Sequence, residues 1–326
     1  MHPELFELFG TSFPSYFVLL LEGFLFATAL GVLWARRVGE DPDVIVNLGI
    51  SMLIFGIIGA RLLHVVADGY LADYVHLCTD PSQVGWPISK SECLRVVQPD
   101  FLAEWFGSTA EPLGRYDDAA AVCRPLRRDC WAWARFWAGG LTFYGGLAGA
   151  SFAAIINLRR DRFPFWKAAD MAGMAIPLGL GFGRLGCLLG GCCFGSPSDG
   201  PLGLSFPSGS PASAAQARAH LLPTEFMDSL PVHPTQIYES LGSLLVSGAL
   251  LMWAHERKRY DGQIFVLFLA SYAILRFGLE FFRADDRGGF VGLSTSQLLG
   301  LFALLLALVL DRSRRATLAR FETSHV

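Results

Sequence analysis

Seven stretches of this chain, each roughly 20 residues long and nearly free of charge, are long enough to cross a hydrocarbon core about 30 Å thick. They run from Tyr16 to Trp34, Val44 to Ala67, Phe136 to Leu158, Ala168 to Leu189, Thr235 to Ala254, Gln263 to Phe282 and Leu293 to Leu310. In lipid every backbone polar group must be satisfied within the segment, so blocks of this length read as helices. The expected fold is all-α and polytopic: one membrane domain with seven transmembrane helices, plus extracytoplasmic head and arm insertions. Of the 326 residues, 52% are hydrophobic and 17% charged, against about 25% charged in an ordinary soluble domain. A net charge of −3 gives no basis for bulk nucleic-acid binding. No repeat of fixed period stands out. The first block lacks a basic n-region and a small-residue cleavage site, so it is expected to remain in the mature chain.

Basic residues flanking the blocks set the orientation. Arg36 and Arg37 follow the first, and Arg159, Arg160, Arg162 and Lys167 follow the third. Arg257, Lys258 and Arg259 follow the fifth, and Arg312, Arg314, Arg315 and Arg320 follow the seventh. Those connections belong in the cytoplasm, which puts the N-terminus outside and the C-terminus inside. The arm, residues 68–135, and the head segment, residues 190–233, then lie on the outer side. The arm carries Cys78, Cys93, Cys123 and Cys130; an oxidising compartment favours disulfides, with three connectivities open. Tight Cys-x-x-Cys pairs are missing from the arm, so zinc is not signalled there. Within the head, residues 211–222 read as a short helix with Pro211 in its first turn and Pro223 as its stop.

Charges inside the apolar blocks carry the most information. Arg61, Arg184 and Arg276 are accompanied by Glu239 and Glu280, with Glu22 near the outer half of the first block. A mid-membrane arginine costs at least about 2.5–3.5 kcal/mol to insert, so it faces a partner or a wet cavity. Two readings are open: the arginines pair with the glutamates, or they form an anion site for bidentate phosphate contacts. At membrane depth that anion is a phospholipid or polyprenyl-phosphate headgroup. Gly183, Gly186, Gly190, Gly191 and Gly195 flank Arg184 and would let backbone approach a ligand.

Several multi-residue motifs resemble those of the prolipoprotein diacylglyceryl transferase family. Gly183-Arg-Leu-Gly186 is similar to its Gly-Arg-x-Gly signature, and His233-Pro-Thr-Gln-Ile-Tyr-Glu239 to its His-Pro-Ser/Thr-Gln-x-Tyr-Glu block. Arg276-Phe-Gly-Leu-Glu-Phe-Phe-Arg283 is similar to its late Arg-Phe-x-x-Glu-Phe-x-Arg motif. Gly139-Gly-Leu-Thr-Phe-Tyr-Gly-Gly146 and His2-Pro3 are further matches, and all fall in family order. The resemblance implies seven transmembrane helices and a periplasmic head in a bacterial cytoplasmic (inner) membrane. It also implies transfer of the diacylglyceryl group of phosphatidylglycerol to the lipobox cysteine of a preprolipoprotein signal peptide, releasing glycerol phosphate. The implied partners are those two substrates and membrane lipid, with no nucleic acid, no cofactor and no metal.

By the same resemblance Arg184, Arg276, Glu280, His233 and Tyr144 are the catalytic candidates. Arg61, Gly183, Gly186, Gln236, Tyr238, Glu239, Tyr272 and Arg283 are the substrate-binding ones. Breaking a carbon–oxygen bond needs fixed cations on the departing phosphate, and Arg184 and Arg276 suit that. The acceptor thiol needs a base; Glu280, Glu239, His233 and Tyr144 are candidates in no set order. Three departures stand out, one being that the arm at residues 68–135 is longer than the family typically needs. Cys187-Leu-Leu-Gly-Gly-Cys-Cys-Phe-Gly195 occupies the place of an Asn and an Asn-Gly-Glu element, and Tyr144 stands where some members carry histidine. The cysteines there read either as packing or disulfide residues, or as a redox or nucleophilic group. Two rival functions remain open: a paralogue moving a lipid-linked group to another acceptor, and a non-enzymatic phospholipid-binding or transport protein.

Overall fold

A computed structural model describes residues 4–8, 11–88, 90, 93–94, 114–134, 140–283, 289–290 and 293–324. His2, Pro3 and Gly139 of the motifs above lie outside them. The chain starts with a hairpin of β1 (Glu4–Leu8) and β2 (Thr11–Pro14) and enters α1 (Ser15–Val38). Gly39, at φ +75°, closes α1 in the left-handed conformation that glycine adopts without strain. A short turn leads to α2 (Pro42–Ala67), where the Asp41 side chain accepts the Asp43 N–H at 2.9 Å and Pro42 fills the first helical position.

The arm follows, with α3 (Leu71–Thr79) and an antiparallel pair, β3 (Gly114–Asp117) and β4 (Val122–Pro125). Two nested disulfides hold it, Cys78–Cys130 and Cys93–Cys123. Trp86 and Cys123 exchange both backbone hydrogen bonds, at 3.0 and 2.9 Å, in an antiparallel bridge. Then come α4 (Phe143–Arg160) and α5 (Phe165–Gly190). The head holds α6 (Pro211–Arg218), followed by α7 (Thr235–Ala249) and α8 (Gln263–Leu279). A second small hairpin, β5 (Gly289–Phe290) with β6 (Leu293–Ser294), precedes α9 (Thr295–Ser324).

Among the described residues, six helices are long and apolar enough to cross a membrane: α1, α2, α5, α7 with its continuation to Arg257, α8 with its continuation to Phe282, and α9. The chain is a mostly helical, multi-pass membrane protein. The third of the seven expected blocks is the exception. Its helix α4 starts at Phe143, because Gly140 takes φ +69° and Thr142 donates its N–H to the Ala60 carbonyl at 3.1 Å. Asn157 and the Arg159–Arg160 pair then dilute the apolar run within its 18 residues. In the head, α6 ends at Arg218 rather than at 222. His220 turns left-handed at φ +59°, and Leu221 donates back to the Gln216 carbonyl at 2.9 Å.

Packing follows the small residues. α2 lies against α4 across Gly59, Gly145 and Gly149. A Cβ on Gly145 would strike the Gly59 carbonyl and come within 2.6 Å of Leu63 Cβ, the close crossing that small residues allow in membranes. α5 packs on α1, α7 and α8, and α8 also on α9. α7 is polar inside and apolar outside: Ser240, Ser243 and Glu239 are buried while Leu245 is 73% exposed, the pattern a lipid-facing helix requires. At the far end of α5, Asp170 takes the Ile264 N–H at 2.8 Å and the Lys258 ammonium at 2.9 Å, fixing the start of α8.

Candidate functional site

Helices α5, α7 and α8 place one charged pair after another along their shared interface. Arg184 on α5 contacts Glu239 on α7, Nε to Oε2 at 2.9 Å. The other Glu239 oxygen accepts the Tyr272 hydroxyl of α8 at 3.1 Å. One turn along α8 from Tyr272, Arg276 Nη1 lies 2.9 Å from Glu280 Oε2, and its Nη2 donates to Ser296 Oγ of α9 at 3.0 Å. Glu239 is fully buried, and the Arg276 and Glu280 side chains are 11% and 8% exposed. These charges are held together by proximity more than by directed hydrogen bonds. Six buried side-chain N or O atoms among the described residues lack an aligned partner. Five belong here: Gln236 Oε1, Glu239 Oε2, Ser243 Oγ, Arg276 Nη1 and Glu280 Oε2. Buried polar groups are normally satisfied, so such a concentration is a mark of a site. Among the described residues, none accepts a hydrogen bond from the two terminal nitrogens of Arg184.

The cysteine-rich turn sits directly on this cluster. Gly191 at φ +69° and Cys193 at φ +62° fold the chain back after α5. The start of α7 grips that turn, with Gln236 Nε2 donating to the Cys192 carbonyl at 2.7 Å and Thr235 Oγ1 to the Cys193 carbonyl at 2.9 Å. The Sγ atoms of Cys187, Cys192 and Cys193 lie within 4.8 Å of one another, and all three are free thiols. Hydrogen bonds from Cys187 and Cys192, with Arg184 and Arg283 nearby, hold the Cys193 thiol below the ordinary thiol range. Hydrogen bonds with Cys187 and Cys193, then burial, push Cys192 above it.

Just beyond, residues 195–196 join the motifs through their backbone. Gly195 N–H donates to the His233 carbonyl at 2.9 Å, and Ser196 N–H to the Phe282 carbonyl at 2.8 Å. A Cβ on Gly195 would meet the Phe282 carbonyl and approach His233 Cβ to 2.8 Å, so only glycine fits. The His233 ring lies against Phe282 at 5.2 Å, and its Nδ1 is 3.4 Å from the Tyr238 hydroxyl. An open cleft of about 310 Å3 runs alongside, lined by Cys193, Phe194, Gly195, Ala215, Gln216 and Arg283 among others.

The structure thus brings together Arg184, Glu239, Tyr272, Arg276 and Glu280, with Gln236, His233, Tyr238 and Arg283 at the rim. It places the other candidates elsewhere. Arg61 is buried but gives its guanidinium to the carbonyls of Trp133 and Ala132, both at 2.6 Å, and of Gly140 at 3.1 Å, with the Tyr74 ring 5.2 Å away. It ties the arm to α2. Tyr144 is 59% exposed at the start of α4, edge-on to Phe143. Gly186 admits the backbone of Tyr16, to which a Cβ would come within 2.8 Å, and Gly183 faces Leu20. Glu22 is exposed on α1. Sequence reasoning passed over Ser243 and Ser296. Ser243 had a signal, since Gln236, Glu239, Ser243 and Ser247 recur at helical spacing on one face of α7. Ser296, a lone serine on another helix, had none.

Fold and site together define a multi-pass helical membrane protein with a partly unsatisfied ionic cluster buried between its helices. Residues 3–86 and 122–311 match the family model described as prolipoprotein diacylglyceryl transferase, and the chain belongs to that family. The unmatched residues 87–121 fall between Trp86 and Cys123, which pair through their backbones. The chain is 28% identical to the phosphatidylglycerol–prolipoprotein diacylglyceryl transferase of Clostridium tetani, over 97% of this chain and 100% of that protein. It is 25% identical to phosphatidylglycerol–prolipoprotein diacylglyceryl transferase 2 of Clostridium perfringens, over 92% of this chain and 90% of that protein. To the enzyme of the same name from Stenotrophomonas maltophilia it is 35% identical, over 56% of this chain and 64% of that protein.

Proposed function

We propose that this chain transfers the diacylglyceryl group of phosphatidylglycerol to the lipobox cysteine thiol of preprolipoproteins and releases glycerol phosphate. The observation that carries the reading is the cluster around Arg184 and Arg276: buried opposite charges with unaligned polar atoms, and terminal Arg184 nitrogens that no described residue takes up. Such donors suit a phosphate whose charge grows as its bond to carbon breaks. Relatives over nearly the whole chain carry the name of this activity.

In the proposed reaction the acceptor sulfur forms a bond to the glyceryl carbon, and the carbon–oxygen bond to phosphate breaks. The thiol proton passes to a nearby base, Glu239, Glu280 or His233. Charge then moves from a carboxylate to the departing phosphate, and the arginine that had faced the carboxylate faces the phosphate instead. The two ion pairs act as preorganised charge that needs no solvent to rearrange. Tyr272 and Tyr238 orient the headgroup, Gln236 fixes the turn beside it and Arg283 lines the approach. Seven helices cross the inner membrane, α4 being the third, with the N-terminus periplasmic and the C-terminus cytoplasmic. The cluster, head and arm lie toward the periplasmic side.

The test combines purified protein in detergent or liposomes with phosphatidylglycerol and a lipobox peptide, and follows glycerol phosphate and peptide mass. A diacylglyceryl gain on the peptide that disappears with Arg184→Lys supports the proposal. Folded protein without product refutes it, and lipid consumption without peptide modification assigns a different acceptor.

A further inference from the structure

The proposed transfer reaction uses none of the three free cysteines at and just after the end of α5. We propose that Cys187, Cys192 and Cys193 form a binding site for one soft, thiophilic d10 cation, of the Cu(I) or Zn(II) kind, held by three thiolates. The thiol cluster defines this site independently of the transfer reaction.

Geometry comes first. Bonds of about 2.3 Å from a central ion to each sulfur put the sulfurs about 4 Å apart, and these Sγ atoms already lie within 4.8 Å of one another. At most about 0.8 Å then remains to be closed between any two sulfurs. The backbone is committed to this arrangement, because Cys193 holds a left-handed φ of +62°. Non-glycine residues rarely adopt that conformation, and it persists only where surroundings enforce it. Here the enforcement is visible, as Gln236 and Thr235 hold the carbonyls of Cys192 and Cys193. Partners of this kind outside the ligand shell typically control metal affinity.

Chemistry and access agree with the geometry. Soft sulfur ligands select Cu(I) and Zn(II) over hard cations. Three thiolates carry three negative charges, so the loaded site is net −2 with Cu(I) or −1 with Zn(II). Arg184 and Arg283 both act on Cys193 and offset that charge. Binding releases whatever thiol protons the three cysteines still carry to solvent and involves no change of oxidation state. Cys187 is buried, but Cys193 lines the open cleft of about 310 Å3, which gives an ion a way in. An occupied site ties the end of α5, the helix of Arg184, to the turn that α7 grips.

The remaining four of the seven cysteines are in disulfides, so alkylation without reduction reports on these three alone. Full-length protein in detergent is stripped with a chelator under anaerobic conditions and titrated separately with Zn(II) and with Cu(I). Metal per chain and intact mass after alkylation are then measured. The expected result is one equivalent retained against a competing chelator, with three alkylations on stripped protein and none on loaded protein. The arm that saturates at the lower free-metal concentration identifies the preferred ion. Cys193→Ser is expected to lose stoichiometric retention, and Thr235→Val to weaken it about 10–100-fold while leaving all three thiols in place. Full alkylation at saturating metal in both arms overturns the proposal. So does a disulfide among the three cysteines in protein purified without oxidant, or unchanged retention in a folded Cys193→Ser variant.

Discussion

Replacing Arg184 by lysine tests the phosphate clamp without dismantling the fold. The structure separates two duties of this side chain: Nε faces Glu239 at 2.9 Å, while no described residue takes up the two terminal nitrogens. Lysine keeps the charge beside Glu239 and loses the planar fork. Removing one such donor from a developing anion costs about 2.7–4 kcal/mol, or about 10²–10³ in kcat. Ground-state binding keeps its charge attraction, so the loss falls on kcat more than on KM. Arg184→Ala is a poorer probe, because it strands a carboxylate whose side chain is 1% exposed. Breaking a buried pair on one side costs roughly 3–5 kcal/mol, an upper bound here since Arg184 is itself 19% exposed and Glu239 can take up a proton. The double variant Arg184→Ala/Glu239→Gln recovers most of that stability and stays inactive. The assay is the peptide-modification rate at varied phosphatidylglycerol, with thermal unfolding in the same detergent. Arg184→Lys protein with wild-type stability and a kcat within about threefold of wild type, less than about 1 kcal/mol, would refute the reasoning.

Three further outcomes follow from the surrounding structure. Gly145→Ala drives a Cβ into the Gly59 carbonyl and should cost about 1–3 kcal/mol in thermal unfolding; Gly278→Ala, with no described atom within 4 Å of the new Cβ, should be neutral to about 1 kcal/mol stabilising. Cys93→Ser with Cys123→Ser opens a link spanning 30 residues; the arm should lose roughly 3–4 kcal/mol and become sensitive to trypsin, while peptide modification continues, because residues 87–121 lie outside the family match. Hydrogen bonds from Thr142 and His64 hold the Asp68 carboxyl below its ordinary range. Its contribution is therefore complete above about pH 4 and lost as pH falls through the lowered value. The unfolding temperature of wild type relative to Asp68→Asn, measured from pH 6 downward, should show that loss.

The sequence singles out candidate residues more readily than it shows what each one touches. Intramembrane arginines and glutamates stood out because lipid makes them costly, and motif order tied them to one family. Their pairing was not legible, since Arg184 and Glu239 are far apart in sequence and meet only when α5 packs on α7. Arg61 shows the limit most clearly. Its cost in the membrane is the same as that of Arg184, yet its guanidinium is used by three backbone carbonyls of the arm and of the turn before α4. Periodicity carries no information about carbonyls that arrive from 71 or more residues away. The start of α4 was misplaced for a related reason, because the left-handed Gly140 and the Thr142–Ala60 hydrogen bond interrupt an apolar run that looks continuous.

The glycine at 195 links these observations. Its peptide and the next bind the backbones of His233 and Phe282, so the His-Pro and Arg-Phe motifs are held in register by the turn that follows Gly-Arg-x-Gly. None of those three segments could shift along its helix axis without breaking the others' backbone hydrogen bonds. The ionic cluster is carried by these same segments, with Arg184 before the turn, Glu239 after His233 and Arg276 and Glu280 before Phe282. In the proposed reaction, a phosphate would complete the hydrogen bonds that the Arg184–Glu239 and Arg276–Glu280 pairs leave open.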